Sequence, residues 1–183
     1  MAVNLPIYMD YSATTPVDPR VLEEMMPYFS EKYGNAASRS HAYGWTAEAA
    51  VEAAREKISA FLGGSSGKEV VFTSGATEAD NLALKGVADY YASKGNHIIT
   101  TTIEHKAILD TAKRLRKQGF EITYIPVDRQ GLVDPDEIRK AITDKTILVS
   151  VMLANNEVGT IQPLEQIGAI TREKGVLLHT DAV

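Results

Sequence analysis

The sequence predicts an α/β protein with a mainly parallel sheet and helices on both of its faces. From residue 70 onward, short apolar runs typical of buried strands alternate with stretches whose apolar residues recur at helical spacing. The run at residues 146–153, TILVSVML, is almost continuously apolar, as expected of a strand buried on both faces. Alternating strands and helices form right-handed βαβ units, which build a parallel sheet covered by helices.

The first 69 residues contain two predicted helices separated by a loop. Asp18 as N-cap and Pro19 in the first turn predict a helix that Pro27 bends or ends. Residues 33–44, YGNAASRSHAYG, show no period and are rich in glycine, serine and asparagine, so a loop is expected. The second helix is predicted over residues 47–62, before a Gly-Gly pair. Its apolar stripe consists of Ala47, Ala50, Val51, Ala54, Ile58, Phe61 and Leu62.

The stretch at residues 70–84, VVFTSGATEADNLAL, predicts a strand at 70–72, a turn at 73–77 and then a helix. A helix N-terminus at this point offers free N–H groups and the positive end of the helix dipole, which attract a phosphate. Serine, glycine and threonine also form ordinary turns, and Thr77 with Asp80 three residues on is the pattern of a helix cap. Both interpretations stay open on these residues alone.

The remaining sequence repeats the pattern of strand and helix. Asp134 and Pro135, followed by Glu137, predict a capped helix start. Gly119 and Gly175 are expected to end the helices that begin near residues 107 and 163. The predicted strands are residues 97–102, 120–127, 146–153 and 176–180.

The composition is that of an ordinary soluble globular protein, with 183 residues, 44% hydrophobic and 23% charged. The net charge of -5 weighs against a nucleic-acid partner or an anionic membrane. No apolar stretch approaches the ~20 residues that span a membrane, and the first ten residues lack the zones of a signal peptide. We therefore expect a cytoplasmic protein. The chain has no cysteine, so it contains no disulfide, zinc-thiolate site or thiol nucleophile.

Polar residues follow four of the predicted strands, where ligands bind in open α/β sheets. A histidine or an asparagine before a helix often acts only as a cap. Asp181 is the stronger candidate, because an acid at the end of an apolar strand is costly to bury without a partner. The candidate residues are Thr77, His105, Asn156 and Asp181.

Two other kinds of site are not expected. The four histidines show no ligand spacing such as H-E-x-x-H, so no metal site is predicted. No G-x-S-x-G turn is present, which argues against a Ser-His-Asp triad. A phosphate cradle, an imidazole, a carboxamide and a carboxylate on one rim instead suit pyridoxal 5′-phosphate (PLP). In that cofactor the phosphate anchors the ring, while a carboxylate pairs with the protonated pyridine nitrogen.

The sequence resembles cysteine desulfurases of the NifS/IscS type, in the class V aminotransferase group, from about Ile7 to its last residue. The resemblance implies the PLP-dependent aspartate-aminotransferase (type I) fold. It further implies homodimeric enzymes that convert L-cysteine to L-alanine and pass the sulfur on as a persulfide, often to iron–sulfur cluster assembly. The segments that carry the resemblance are YMDYSATTPVDPRV, YGNAASRSH, VVFTSGATEADNLA, ITTTIEHKAILD, SVMLANNEVGTIQPL and LLHTDAV.

The resemblance also implies a role for each candidate residue. Ala76 and Thr77 would bind the PLP phosphate, and His105 would stack on the pyridine ring and act in proton transfer. Asn156 would donate a hydrogen bond to the phenolic oxygen of the ring, near the substrate carboxylate. Asp181 would pair with the pyridine nitrogen.

The resemblance covers the N-terminal part of such an enzyme. The family's cofactor-binding lysine, persulfide-forming cysteine and substrate-binding arginine lie further on and are not present here. We therefore expect an N-terminal arm at residues 1–15, part of the large domain at residues 16–183, and completion by a C-terminal segment or separate chain. The implied partners are L-cysteine, a second copy of the protein, and an iron–sulfur scaffold or other sulfur acceptor.

Two alternatives to a desulfurase stay open. One is a related class-V lyase or aminotransferase, such as a selenocysteine lyase. The other is a non-catalytic half that serves as a scaffold for a partner chain.

Overall fold

The computed structural model describes residues 5–11 and 13–183, so residues 1–4 and 12 of the predicted N-terminal arm lie outside the described residues. The described helices are α1 (Pro19–Met25), α2 (Pro27–Ser30), α3 (Ala42–Phe61), α4 (Ala76–Tyr90), α5 (Lys106–Lys117), α6 (Pro135–Ala141) and α7 (Leu164–Lys174), with a 3₁₀ turn at Gly67–Glu69. The described strands are β1 (His97–Thr101), β2 (Glu121–Ile125), β3 (Thr146–Ser150) and β4 (Leu177–His179).

The chain divides into two compact units, Met1–Phe72 and Thr73–Val183. The sheet and all of the predicted site residues belong to the second unit. The predicted division into an arm at residues 1–15 and one domain at residues 16–183 stays a prediction. Within the described ranges, every helix is too short or too polar to cross a membrane.

The four described strands form one sheet in the order β2-β1-β3-β4, and every neighbouring pair is parallel. The predicted α/β class with a parallel sheet is therefore confirmed. The pairing of β3 with β4 ends at Ser150 opposite His179, but backbone hydrogen bonds continue beyond it. Val151 N–H donates to the carbonyl of His179 at 3.1 Å, and Leu153 N–H donates to that of Asp181 at 2.8 Å. These bonds fix the backbone of Asp181 beside the segment that follows β3.

Helices cover both faces of this sheet. Successive strand residues point to opposite faces, so Ile98 and Ile99 of β1 belong to different hydrophobic cores. The core beneath α4 and α5 consists of Leu84, Ala88, Ile98, Ile108, Ala112, Leu115, Ile122, Ile147 and Leu148. The core beneath α6 and α7 consists of Ile99, Ile125, Val133, Ile138, Val149, Val151 and Ile167.

The predicted helix ends of the second unit are mostly confirmed. Asp134 caps α6 by accepting a hydrogen bond from the Asp136 N–H at 2.9 Å. Gly175 ends α7 with φ of 65°, a left-handed conformation that glycine adopts without steric cost. The predicted start of α4 is different, because Gly75 and not Thr77 occupies its N-cap position. The capping interpretation of Thr77 with Asp80 is therefore wrong.

In the first unit, the helix start at Asp18 and the break at Pro27 are confirmed. The Asp18 carboxylate accepts a hydrogen bond from the Arg20 N–H at 2.9 Å. Helix α3 begins at Ala42, five residues before the predicted start, because the His41 ring accepts a hydrogen bond from the Gly44 N–H. Its predicted apolar stripe fails at the C-terminal end, where Phe61 and Leu62 are exposed.

The strand predicted at residues 70–72 is wrong. Val70 is extended, but no described strand pairs with residues 70–72. The carbonyl of Val70 accepts its hydrogen bond from the Arg55 guanidinium, which also lies over the Phe72 ring at 4.9 Å. Apolar composition gave the strand signal here, but a strand also needs a hydrogen-bonded neighbour, and a side chain takes that place.

The buried face of α4 contains an acidic residue. Leu82 and Tyr90 are exposed, and the buried positions are Asp80, Leu84 and Ala88. These three residues recur at intervals of four, so one acidic residue lies on the face that packs against the sheet.

Candidate functional site

The carboxyl ends of β1, β3 and β4 lie side by side, because these strands are neighbours in a parallel sheet. His105 follows β1, Asn156 follows β3, and Asp181 follows β4. Helix α4 packs against α5 on one face of the sheet, and its N-terminus contributes Ala76 and Thr77. Chain topology therefore places the residues that the sequence analysis selected at one edge of the sheet.

A cluster of three titratable side chains lies at the centre of this rim. Single oxygen or nitrogen atoms of Asp80, His105 and Asp181 all lie within 4.8 Å of one another. Asp80 is only 4% exposed, Asp181 is partly buried and His105 is exposed. Two of these residues were predicted site residues, and Asp80 was considered only as part of a helix cap.

The N-terminus of α4 has unused hydrogen-bond donors. Gly75, the N-cap residue, has no side chain to cap the helix, and its carbonyl accepts from the N–H groups of Glu78 and Ala79. Among the described residues, no acceptor bonds to the N–H groups of Ala76 and Thr77. A Cβ at Gly75 would meet nothing within 4 Å, so the approach to these donors is open. Free N–H groups at a helix start suit an anion.

His105 lies between two grooves. One, of about 470 Å³, is lined by Thr77, Asn81 and His105 together with charged residues of α5. The other, of about 690 Å³, is lined by His105 and Asn156 among others. Asn156 does not line the groove that Thr77 lines. His105 therefore lines both grooves, the one that contains Thr77 and the one that contains Asn156.

The backbone fixes the position of the His105 ring. Its Nδ1 accepts a hydrogen bond from the Ala107 N–H at 3.2 Å, so His105 caps α5. The expectation that a histidine before a helix acts as a cap is confirmed for His105. The cap also leaves Nε2 as the atom that carries the proton in the neutral ring. Capping and a functional role are therefore compatible.

The adjacent asparagines differ in their surroundings. Asn155 donates to the carbonyl of Ile103 at 3.0 Å, and its oxygen accepts from the N–H groups of Glu157 and Val158. It therefore fastens the segment after β3 to the segment after β1. Asn156 is exposed and lines the groove beside His105.

Glu104 was not predicted as a site residue. It is buried, and its Oε1 accepts hydrogen bonds from the Thr101 hydroxyl at 2.6 Å and the Met152 N–H at 3.0 Å. Its Oε2 is buried without a partner among the described residues. Burial raises the pKa of its carboxyl to about 7, and the negative charges of Asp181 and Asp80 add to the rise. Glu104, which directly precedes His105 in the sequence, therefore links the end of β1 to the segment that follows β3.

Asp80 and His179 were also missed. Burial, with a further contribution from Asp181, raises the pKa of the Asp80 carboxyl to about 6. Its Oδ1 lies 3.6 Å from Nε2 of His179. Burial lowers the pKa of His179, which favours the neutral ring, and its Nδ1 lies 2.9 Å from the Ser150 hydroxyl. The sequence offered one signal, an acid at helical spacing from Leu84 and Ala88.

Replacing Glu104 by glutamine should change how stability depends on pH. The pKa of Glu104 is raised from 4.5 to about 7 in the folded protein, so between these values the folded state binds more protons than the unfolded state. The free energy of unfolding therefore falls as pH rises through this window. The glutamine side chain does not titrate. The free energy of unfolding of Glu104→Gln, relative to that of the wild type, should therefore rise by on the order of 3 kcal/mol between pH 4.5 and pH 7.

Urea unfolding of the purified protein at several pH values measures this difference. The exposed Glu157→Gln serves as the matched control and should keep the wild-type pH dependence. If the difference in free energy of unfolding between Glu104→Gln and the wild type stays constant from pH 4.5 to pH 7, the Glu104 carboxyl is ionised in the folded protein and the prediction is wrong.

Comparisons with known proteins give a consistent result. The family model for aminotransferase class-V matches residues 7–183. A protein of Anaeromyxobacter sp. (strain Fw109-5) named cysteine desulfurase IscS is 60% identical over 181 residues, which is 99% of this chain and 45% of that relative. The chain thus spans about half the length, or slightly less, of the curated relatives that it matches.

Two solved structures are also similar. A structure described as a NifS-like protein matches with a TM-score of 0.92 and 49% identity, over 97% of this chain and 48% of the other. One described as SspA in complex with cysteine matches with a TM-score of 0.90 and 40% identity, over 96% of this chain and 50% of the other.

Proposed function

The chain belongs to the class-V aminotransferase family, and we propose that it supplies the N-terminal, cofactor-binding part of a PLP-dependent cysteine desulfurase. The observation that carries this proposal is the grouping of Asp181 and His105, with His105 and Thr77 lining one groove. Sequence identity of 60% to a cysteine desulfurase supports the same conclusion. We call the chain together with its complementary C-terminal segment the completed protein.

The residues present fit PLP. The N–H groups of Ala76 and Thr77 have no acceptor among the described residues and lie at a positive helix end, which suits the phosphate. Asp181 is a carboxylate for the protonated pyridine nitrogen, and the exposed ring of His105 is available for stacking. Asn156, on the other groove that His105 borders, would donate to the phenolic oxygen. When bound, PLP supplies an electron sink that stabilises negative charge on the substrate carbon.

His105 has the chemistry of a proton-transfer residue. The Ala107 N–H occupies Nδ1, so the proton of the neutral ring lies on Nε2. Because α5 begins at the next residue, the cap also fixes where the ring can lie. We therefore assign His105 the catalytic role of holding a proton at Nε2 as well as that of stacking on the cofactor.

The proposed reaction converts L-cysteine to L-alanine. The carbon–sulfur bond of the substrate breaks, and the sulfur is transferred to a cysteine thiol as a persulfide. This chain has no cysteine, so that thiol belongs to the C-terminal segment of the completed protein. The similarity to a structure described as a complex with cysteine supports this substrate.

The partners follow from the proposed reaction and family. A persulfide needs an acceptor, and we propose an iron–sulfur scaffold or another sulfur-accepting protein. We further propose that the completed protein is a cytoplasmic homodimer.

Product analysis of the completed protein tests the function. With PLP and L-cysteine it should form alanine and protein-bound sulfur in equal amounts. Preference for L-selenocysteine over L-cysteine would instead support the selenocysteine lyase alternative. PLP binding without any turnover of either amino acid would support a scaffold role.

A further inference from the structure

Asp80 is a buried acid to which the proposed function gives no role. It is 4% exposed, and its Oδ2 has no hydrogen-bond partner among the described residues. Leaving a carboxylate oxygen buried without a donor costs free energy, so proteins retain such groups where they interact with something else. The unpartnered oxygen therefore indicates a functional position.

The other side of Asp80 faces an ordered chain of polar groups. Its Oδ1 lies 3.6 Å from Nε2 of His179, and Nδ1 of His179 lies 2.9 Å from the Ser150 hydroxyl. If that hydroxyl donates to Nδ1, the neutral ring carries its proton on Nε2, toward Asp80. The carbonyls of His179 and Asp181, two residues apart, both accept backbone hydrogen bonds from the segment after β3, as in a continuing strand, which places their side chains on the same side of the backbone. This series of polar groups therefore runs from Ser150 through His179 to Asp80, which lies beside Asp181.

Asp80 therefore places a second carboxylate at the position proposed for the pyridine nitrogen. One oxygen of Asp80 and one of Asp181 lie within 4.8 Å of each other and of a nitrogen of His105. Two negative charges in a partly buried site attract a cation more strongly than one charge does. A neutral ring of the same shape would not gain from the second charge.

We propose that Asp80, oriented by His179, is a positioning residue that acts with Asp181 to select the protonated pyridine nitrogen of PLP. This inference rests on the proposed function, since it assumes that PLP binds with its nitrogen at Asp181. In this proposal the negative charge of Asp80 attracts the protonated ring of PLP, in addition to any part that Asp80 has in packing α4 against the sheet.

The test compares two ligands on the completed protein without cofactor. One is PLP, and the other is 1-deazapyridoxal 5′-phosphate, in which a CH group replaces the ring nitrogen. The dissociation constant of each is measured for the wild type, for Asp80→Asn and for the exposed control Asp89→Asn on the same helix. The wild type should prefer PLP, and Asp80→Asn should reduce that preference by roughly tenfold. Asp89→Asn should leave it unchanged.

The ratio of the two constants separates charge from structure. A purely structural role would weaken both ligands equally and leave the ratio unchanged, which would overturn the inference while PLP binding still supports the proposed function. If Asp80→Asn does not fold, Asp80→Ala, which leaves room for water, is measured in the same way. A wild type that binds both ligands equally also overturns the inference, and one that binds neither overturns the proposed function as well.

Discussion

Asp181→Ala in the completed protein should lower the turnover of L-cysteine by roughly 10²–10³-fold, the effect typical of removing one preorganised electrostatic partner. The content of bound PLP should fall far less. The phosphate contacts proposed for Ala76 and Thr77 and the stacking proposed for His105 do not involve Asp181. Without the carboxylate, however, the pyridine nitrogen loses its proton more readily, and the cofactor becomes a weaker electron sink.

The two effects are measured on the same preparations. Turnover is followed as alanine formed per bound PLP, and PLP content is measured by absorbance after release. Asp144→Ala, which removes an exposed acid between α6 and β3, is the matched control and should behave as the wild type. Wild-type turnover in Asp181→Ala would contradict the assignment of Asp181 to the ring nitrogen.

The second large effect concerns the 183-residue chain by itself, which should form no alanine from cysteine above the rate of free PLP. Sulfur transfer to the protein needs a thiolate, and this chain contains no cysteine. Covalent attachment of PLP needs a lysine at the ring, and Lys106 is exposed in the first turn of α5. We expect this lysine to remain solvated.

Borohydride reduction of the chain mixed with PLP, followed by mass measurement, tests this prediction. Scattered, substoichiometric labelling of surface lysines is the expected result, and the completed protein is the positive control. A stoichiometric adduct on one lysine would show that the chain holds its own catalytic amine. Leu177 and Leu178 of the edge strand β4 are partly exposed, so poor solubility of the chain alone is also expected.

The sheet and the rim residues could be predicted because local signals and global topology agree. The run at residues 146–153 is apolar enough to be buried on both faces, and Asp134 and Gly175 mark helix ends by their own chemistry. Parallel strands place their carboxyl ends at one edge of the sheet. Polar residues that follow neighbouring strands therefore meet without any further information.

The errors arise where a contact distant in sequence decides the outcome. Residues 70–72 are apolar, but their strand character depended on a neighbour, and Arg55 occupies the carbonyl of Val70 instead. Asp80 could not be recognised as a site residue from its position alone. Its burial depends on the sheet beneath α4, and its position beside Asp181 depends on the strand order.

Glu104 illustrates the same limit. Its hydrogen bond to Thr101 is local, but its bond to the Met152 N–H joins residues 48 positions apart. A single sequence carries no signal for that pairing. The sequence therefore does not mark this acid beside His105 as a site residue, although burial raises its pKa.

A crystal structure of the completed protein with PLP tests the central claim most directly. The account predicts the phosphate at the N–H groups of Ala76 and Thr77, the ring against His105, and the pyridine nitrogen at the Asp181 carboxylate. It also predicts that no metal ion is bound, because the ring occupies the space beside His105 and Asp181. A metal ion held by Asp80, His105 and Asp181, or PLP bound away from this rim, would contradict the account.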